Sequence, residues 1–320
     1  MTMRIGLFAA LLCIWIGRSA VAVEWAEFPV PEGSGPHDVA PASDGTVWFT
    51  AQAAGALGHL DPRTGHVEEV ALGNGSAPHG VIVGPDGAPW VTDGGLNAIL
   101  RVDPASRAIH RFPLPPNRAA ANLNTATFDK SGMLWFTGQA GVYGRLDPAS
   151  GAVRVWDAPR GPGPYGITTT RGGAVYFASL AGSYIARIDP ASGAATVIDP
   201  PTPRQGARRI WSDADDRLWV SEFLAGQIAC FDAVNNSWRS WRLPGDRPQP
   251  YAIYVDQQDR VWVSDFGDAT VLRFDPAEGQ FSRVHGQQGG VWVRQLLGRP
   301  NEVWGADSAH DRLFRVSGQN

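Results

Sequence analysis

Six polar or aromatic side chains occupy the same place relative to a recurring Trp or Tyr. Each lies 11 residues before that aromatic residue, and Val293 holds the seventh such place; the six are His37, His79, Asn124, Tyr165, Arg208 and Tyr251. An imidazole takes up or releases a proton near neutral pH, so His37 and His79 are the candidate catalytic bases. The other four, together with the neighbouring Trp292, are the candidate substrate-binding residues.

Carboxylates recur three residues after the same aromatic residues. They are Asp93, Glu222, Asp265 and Asp307. Carboxylate oxygens are favoured ligands of Mg²⁺, and imidazole can join them in a mixed site for a divalent cation. These four acids are therefore the candidate metal ligands. The alternative is that the ends of strands are polar because they meet water, in which case the acids only terminate strands.

The aromatic residues that set this register belong to a repeat that runs the length of the chain. Each is the centre of a short apolar strand such as Val-Trp-Phe-Thr, and successive centres are 41 to 45 residues apart; the centres are residues 48, 90, 135, 176, 219, 262 and 304. A period of this length, with four strands in each unit, is typical of propeller blades. The sequence therefore predicts an all-β, seven-bladed β-propeller with the aromatic series in its core.

Turn residues and the ends of the chain support the same architecture. Pairs such as Asp44-Gly45 and Asp86-Gly87 precede the aromatic strands, and they tolerate the positive φ angles that close tight hairpins. The last repeat lacks a fourth strand, while residues 23–30 form a spare strand that resembles the fourth strands elsewhere. Pairing the first strand with the last would hide both exposed edges. We expect this mature N-terminal strand to close the ring.

In this architecture the start of the first strand and the end of the second lie on one face of the ring. Reflection about the hairpin turn pairs the residue 11 before the aromatic centre with the residue four after it. The first strand of a blade lines the central channel, so the recurring polar residues should surround the channel mouth. Concave mouths of this kind host most ligand sites.

The N-terminal segment and the overall charge limit the possible surroundings and partners. Residues 1–22 contain Arg4, an apolar run and small residues at 20–22, which is typical of a cleaved secretory signal and predicts a periplasmic or secreted protein. The predicted mature chain, residues 23–320, is a single domain without a membrane span. Removal of the signal changes the net charge from −4 to −6, and basic residues are scattered, which argues against nucleic acid as a partner.

Three phrases of the sequence resemble the streptogramin B lyase (virginiamycin B lyase) family. They are Gly-Pro-His at 35–37, Ala-Pro-His-Gly-Val at 77–81 and Gly-Pro-Tyr-Gly-Ile at 163–167, each followed by an aromatic strand. The resemblance covers residues 24–316 and implies a seven-bladed enzyme that needs Mg²⁺. It also implies that a cyclic depsipeptide antibiotic is linearised by elimination at its ester, a reaction that confers resistance.

The family pattern transfers to this chain only in part. The resemblance implies a His base at the start of one blade, followed in the next blade by Glu-x-His and a later Glu. The last two blades, which carry these residues in the family, here have Tyr251, Val-Trp-Val at 291–293 and Asp307. In the first two blades, His37 and His79 are present, Ala77 replaces the Glu of Glu-x-His, and Asp93 stands for the late Glu.

Two other functions remain open from the sequence. The incomplete pattern also suits a non-catalytic propeller that binds a peptide, a glycan or a protein partner at its mouth. A metal-dependent lactonase would need a set of carboxylate and amide ligands, for which Asn124 with Glu222 or Asp265 are the candidates.

Overall fold

The computed structural model describes residues 23–118, 120–285 and 290–318. Within these ranges the chain forms seven four-stranded antiparallel sheets, and a 3-10 turn, Pro116–Arg118, interrupts the strands. The predicted all-β, seven-bladed propeller is confirmed. None of the described helical turns has the length and hydropathy needed to cross a membrane. The predicted signal segment lies outside the described residues.

Six sheets are built from consecutive strands. The first two blades contain β2–β9, which are Pro36–Pro41, Val47–Ala51, Ala56–Asp61, His66–Ala71, Pro78–Val83, Pro89–Asp93, Ala98–Val102 and Ile109–Pro113. The next two contain β10–β17, which are Leu123–Phe128, Leu134–Gly138, Val142–Leu146, Val153–Asp157, Pro164–Thr169, Val175–Ser179, Tyr184–Ile188 and Ala195–Ile198. The fifth and sixth contain β18–β25, which are Ala207–Ser212, Leu218–Glu222, Gln227–Asp232, Ser237–Arg242, Pro250–Val255, Val261–Asp265, Thr270–Asp275 and Gln280–His285.

The seventh sheet combines the two ends of the described chain. Strands β26 (Val293–Arg299), β27 (Glu302–Asp307) and β28 (Arg312–Ser317) are joined by β1 (Glu24–Pro29), which pairs antiparallel with β28. The first strand of every blade contacts the first strand of the next, and β26 contacts β2. The inner strands therefore form a continuous ring around one axis.

The aromatic residues of the repeat are buried between blades. Each packs into a separate apolar cluster with residues of the following blade, as Trp48 does with Val91 and Trp219 with Val263. In four blades the indole Nε1–H also donates to an Asp side chain of the preceding hairpin turn, as Trp135 does to Asp129 at 2.7 Å. The Asp satisfies a polar atom that burial would otherwise leave unpaired.

Candidate functional site

A β-bulge near the start of each inner strand directs side chains toward the axis. In the first blade Pro36 pairs with Ala51 and Val39 pairs with Phe49, so His37 and Asp38 together face one residue of β3. The same register shift occurs in the other six blades. A bulge bends the strand and re-aims its side chains, which explains why two consecutive residues, rather than one, reach the centre of the ring.

Because of the bulge, the pairing of the first and second strands differs by one residue from the register expected from sequence. The residue 12 before the aromatic centre pairs with the residue three after it, as Pro36 does with Ala51, instead of 11 with four. In the seventh blade the connection between strands is one residue shorter, and Val293 pairs with Asp307. Arg294, rather than Val293, therefore holds the position that corresponds to His37.

The structure brings six polar side chains into one hydrogen-bonded group, here called the axial cluster. It consists of His37, Asp38, His79, Asn124, Thr125 and Arg209. His37 Nδ1 lies 2.8 Å from Asp38 Oδ1, and Arg209 Nη2 donates to the same oxygen at 2.9 Å. Arg209 Nη1 donates to Thr125 Oγ1 at 2.8 Å, so one guanidinium joins three blades.

The hydrogen bonds of the axial cluster also fix the histidine tautomers. Thr125 Oγ1 donates to Asn124 Oδ1, so the amide nitrogen of Asn124 faces His79 Nε2 at 3.0 Å and donates to it. His79 then carries its proton on Nδ1, which is buried and has no partner among the described residues. His37 donates from Nδ1 to the Asp38 carboxylate, which leaves the lone pair of its Nε2 free to accept a proton.

Hydroxyl groups on the second strand hold neighbouring blades together beneath the axial cluster. Thr50 Oγ1 accepts a hydrogen bond from the Asp38 backbone N–H at 2.9 Å and donates to the His79 carbonyl at 3.0 Å. Ser221 makes the corresponding pair of bonds with Arg209 and Tyr251. These contacts place the bulge of one blade against the inner strand of the next.

Two blades have glycine at the position that corresponds to Asp38, the second of the two bulge residues. In these blades a neighbouring strand lies too close for a side chain. A Cβ on Gly80 would lie 2.6 Å from the Asn124 carbonyl oxygen, and one on Gly166 would lie 2.8 Å from Arg209 Cα. Asp38, Thr125 and Arg209 therefore lie in blades that leave room for them.

Arginine and aromatic side chains adjoin the axial cluster. Arg208 lies over the ring of Tyr251, with Cζ 3.4 Å from the ring centre, and donates to Tyr165 OH at 3.1 Å. The hydroxyls of Tyr165 and Tyr251 are hydrogen-bonded to each other. Trp292 is 41% exposed and packs against Phe266, which in turn contacts Tyr251. Four of the predicted binding residues, Asn124, Tyr165, Arg208 and Tyr251, thus converge with the two histidines, and Trp292 lies further out.

Burial and the arginines set the protonation states of the site. Burial lowers the pKa of His37 well below its usual value of 6.5, and the charges of Arg209, Arg294 and Arg208 lower it further. Burial and the adjacent His37 also lower the pKa of His79 well below 6.5. Burial raises the pKa of Asp38 while Arg209 opposes the change. Burial and Tyr251 raise the pKa of Tyr165 to about 12. Both imidazoles are therefore neutral at neutral pH.

The four predicted metal-ligating acids lie at the ends of their own second strands. Three of them accept hydrogen bonds from backbone N–H groups of nearby loops: Asp93 from Ala77 and Leu96, Asp265 from Gln249 and Gly267, and Asp307 from Trp292 and Ala309. Glu222 accepts from the Gln227 side chain, and burial raises the pKa of Glu222 to about 7. Each acid organises a loop of its own blade, and their role as metal ligands stays a prediction.

Among the described residues, one group of three ligand-type side chains could hold a metal ion: His37, Asp38 and His79. It does not fit Mg²⁺, which prefers oxygen ligands in octahedral geometry. Two of the three donors are nitrogens, and the carboxylate oxygen already accepts from His37 and Arg209. The positive charge of nearby arginines further opposes a second cation.

Comparison with protein families shows which family this propeller belongs to. The model of the virginiamycin B lyase family matches residues 12–274. The chain belongs to the virginiamycin B lyase family. Members of known structure share its fold: virginiamycin B lyase from Staphylococcus aureus is 22% identical with a TM-score of 0.85, and the match covers 92% of this chain and 99% of the other.

Two further structures show the same relationship. A streptogramin B lyase is 23% identical with a TM-score of 0.84, covering 93% of this chain and 98% of its own. A catalytically inactive variant of the S. aureus virginiamycin B lyase, crystallised with quinupristin, is 22% identical with a TM-score of 0.85, and the match covers 92% of this chain and 99% of that one. The comparison with curated proteins finds no match.

Sequence reasoning missed Asp38 and Thr125. It assumed strict alternation along the inner strand, under which the neighbour of His37 points away from the axis. The signal that could have found them is the run of consecutive polar residues at the starts of inner strands, His37-Asp38, Asn124-Thr125 and Arg208-Arg209.

Proposed function

We propose that this chain is an exported elimination enzyme that opens the ester of a cyclic depsipeptide, with His37 as the base. The observation that carries the proposal is the 2.8 Å contact between His37 Nδ1 and Asp38 Oδ1. It orients a neutral imidazole whose Nε2 can accept a proton, in a chain that belongs to the virginiamycin B lyase family.

The reaction follows from this arrangement. His37 Nε2 takes the proton from the carbon adjacent to a carbonyl, and the electrons of that C–H bond form a C=C bond with the next carbon. The bond from that second carbon to the ester oxygen breaks, and its electron pair leaves with the carboxylate. No water is consumed, so the linear product has the mass of the cyclic substrate. Asp38 stabilises the imidazolium that forms.

Guanidinium groups stabilise the departing carboxylate in this proposal. Arg208 and Arg294 lie beside the histidines, and their charges already act on His37. Guanidinium donors match carboxylate oxygens in geometry and remain charged at all relevant pH values. The family resemblance implies Mg²⁺, but the ligands around His37 do not suit it, and the elimination needs no metal in this form.

A second candidate is a binding protein of the same fold without turnover. It is favoured by the low exposure of the two histidines, 3% for His37 and 8% for His79. It is also favoured by Tyr251 and Arg294, which hold in the last two blades the positions that His37 and His79 hold in the first two. Such a protein would hold a peptide, glycan or protein partner against Trp292 and the adjoining arginines.

Mass spectrometry separates the two candidates. The purified chain without residues 1–22 is incubated with a cyclic depsipeptide in Mg²⁺ and, separately, in EDTA. The proposed enzyme gives a linear product of unchanged mass under both conditions, while ester hydrolysis would add one water. His37→Gln should abolish the product, and His110→Gln, an exposed control, should not. Binding of the depsipeptide without any product would overturn the enzyme and support the binding protein.

Export is part of the proposal and has its own test. The N-terminal segment predicts a signal that is cleaved after residue 22. Expression of the full chain in a Gram-negative host should give a periplasmic protein whose first residue is Val23. A protein recovered from the cytoplasm with residues 1–22 intact would contradict export.

A further inference from the structure

The channel contains a second compartment that the axial cluster separates from the proposed catalytic mouth. It is a cavity of about 380 Å³ lined by residues of all seven inner strands. Its rim includes the exposed Pro85 and the partly exposed Trp211 and Leu297, so it opens at the end of the ring opposite to His37. Its closed end is formed by Asp38, Thr125, Arg209 and Gln295.

The wall of this compartment is apolar because of the register that the bulge creates. The residue that follows each bulge is aliphatic, and six of these seven residues line the cavity: Val81, Ala126, Ile167, Ile210, Ile253 and Leu296. An apolar wall of this size with a few polar groups at one end is typical of a small-molecule site.

The polar end of the compartment carries an unused donor. Arg209 is 4% exposed, and its hydrogen bonds go to Asp38 and Thr125 through one N–H of each terminal nitrogen. Its Nε is buried and has no hydrogen-bond partner among the described residues. An unsatisfied buried donor costs free energy that an anionic acceptor would recover. Arg208 and Arg294 add positive potential from the other side of the axial cluster.

We propose that this compartment binds a small apolar monocarboxylate, with its carboxylate toward Arg209 and its hydrocarbon body along the aliphatic wall. The site is independent of the proposed elimination, which takes place on the other side of the axial cluster. Octanoate is a suitable probe because it has one carboxylate and a flexible apolar chain that suits a narrow channel. 1-Octanol has the same chain without the charge.

Methyl-labelled NMR and calorimetry test the site directly. Octanoate should bind one molecule per chain and shift the δ1-methyl signals of Ile167, Ile210 and Ile253. Ile99 should not respond, because it is buried in an apolar cluster that contains none of these three and it does not line the cavity. 1-Octanol should bind at least tenfold more weakly. Val83→Trp, which fills the open end, should abolish octanoate binding, and Val234→Trp on the exposed surface should leave it unchanged.

Three results would overturn the site. They are equal affinity for octanoate and 1-octanol, octanoate binding that leaves the three isoleucine methyls unshifted, and no detectable binding to the unaltered chain. The wild-type methyl shifts decide the question even where Val83→Trp fails to fold, as circular dichroism would reveal. Arg209→Lys keeps a charge beside Asp38 but loses the fork of donors, and it should weaken octanoate more than 1-octanol.

Discussion

His37 and His79 lie side by side on neighbouring blades with their ring centres 4.0 Å apart. Burial and the arginines lower the pKa of each imidazole, and the charge of His37 also acts on His79. A proton gained by one ring therefore disfavours a proton on the other. This arrangement favours protonation of one imidazole at a time, which agrees with the single base, His37, that we propose for an elimination.

Asp38→Asn should lower turnover more than binding. The substitution preserves shape but removes the carboxylate that accepts from His37 Nδ1 and that stabilises the imidazolium, so kcat should fall at least about 100-fold while KM changes little. Because Arg209 loses its buried partner, some loss of stability should accompany it. Asp61→Asn, in an outer turn, is the control. Unchanged kcat in Asp38→Asn would rule out the orienting role.

Acidification should destabilise the protein through the two axial histidines. In the folded chain their pKa values lie below 6.5, so between pH 6.5 and those lower values the unfolded chain binds more protons. The free energy of unfolding therefore falls as the pH drops below about 6.5. His79→Gln, which keeps an acceptor for Asn124, should reduce this loss by about 1 kcal/mol. Thermal unfolding of wild type and variant at pH 7.5 and pH 5 measures this loss of stability, with His110→Gln as the exposed control.

Glu222 should produce the opposite dependence on pH. Burial raises its pKa from 4.5 to about 7, so the folded chain binds the extra proton between these values. Its contribution to stability is present in full below pH 4.5 and is lost as the pH rises toward 7. Glu222→Gln keeps the size of the side chain and should stabilise the protein above pH 7, by about 2 kcal/mol. Denaturant unfolding at pH 5 and pH 8 checks the sign; greater stability of wild type at pH 8 would contradict it.

Thr50→Val should loosen the contact between the first two blades. The variant has a similar shape but leaves the Asp38 N–H and the His79 carbonyl without their partner, which costs about 1–3 kcal/mol. Thr196→Val, on an exposed outer strand, should change stability far less. Urea unfolding compares the two variants, and equal losses would show that the bridging hydroxyl contributes nothing specific.

The fold was predictable because it rests on local patterns that repeat. Each aromatic centre, hairpin turn and apolar strand can be read without knowledge of the others, and seven repetitions leave little doubt about the architecture. The hydrogen bond from Trp135 to Asp129 shows a finer regularity, since the acid that starts the turn also satisfies the indole.

The candidate site was predictable only in part, because it depends on a departure from regular alternation. The register gave His37, His79, Asn124, Tyr165, Arg208 and Tyr251, which the structure brings together. It placed Val293 where Arg294 belongs and overlooked Asp38, because a bulge and one shorter hairpin shift the inner strand by a residue. The hydrophobic pattern alone does not reveal such shifts, and the consecutive polar residues at the starts of the inner strands are the one local sign of them.

The pairing of Glu24–Pro29 with Arg312–Ser317 also determines when the ring can close during folding. The strand that emerges first during synthesis finds its partner last, after all the intervening blades have been made. Until then β1 and β28 lack each other as partners, and the apolar faces on both flanks of the growing stack are exposed to other chains. A polypeptide that stops before Arg312 would keep those flanks open, so self-association is the failure we expect of shortened chains.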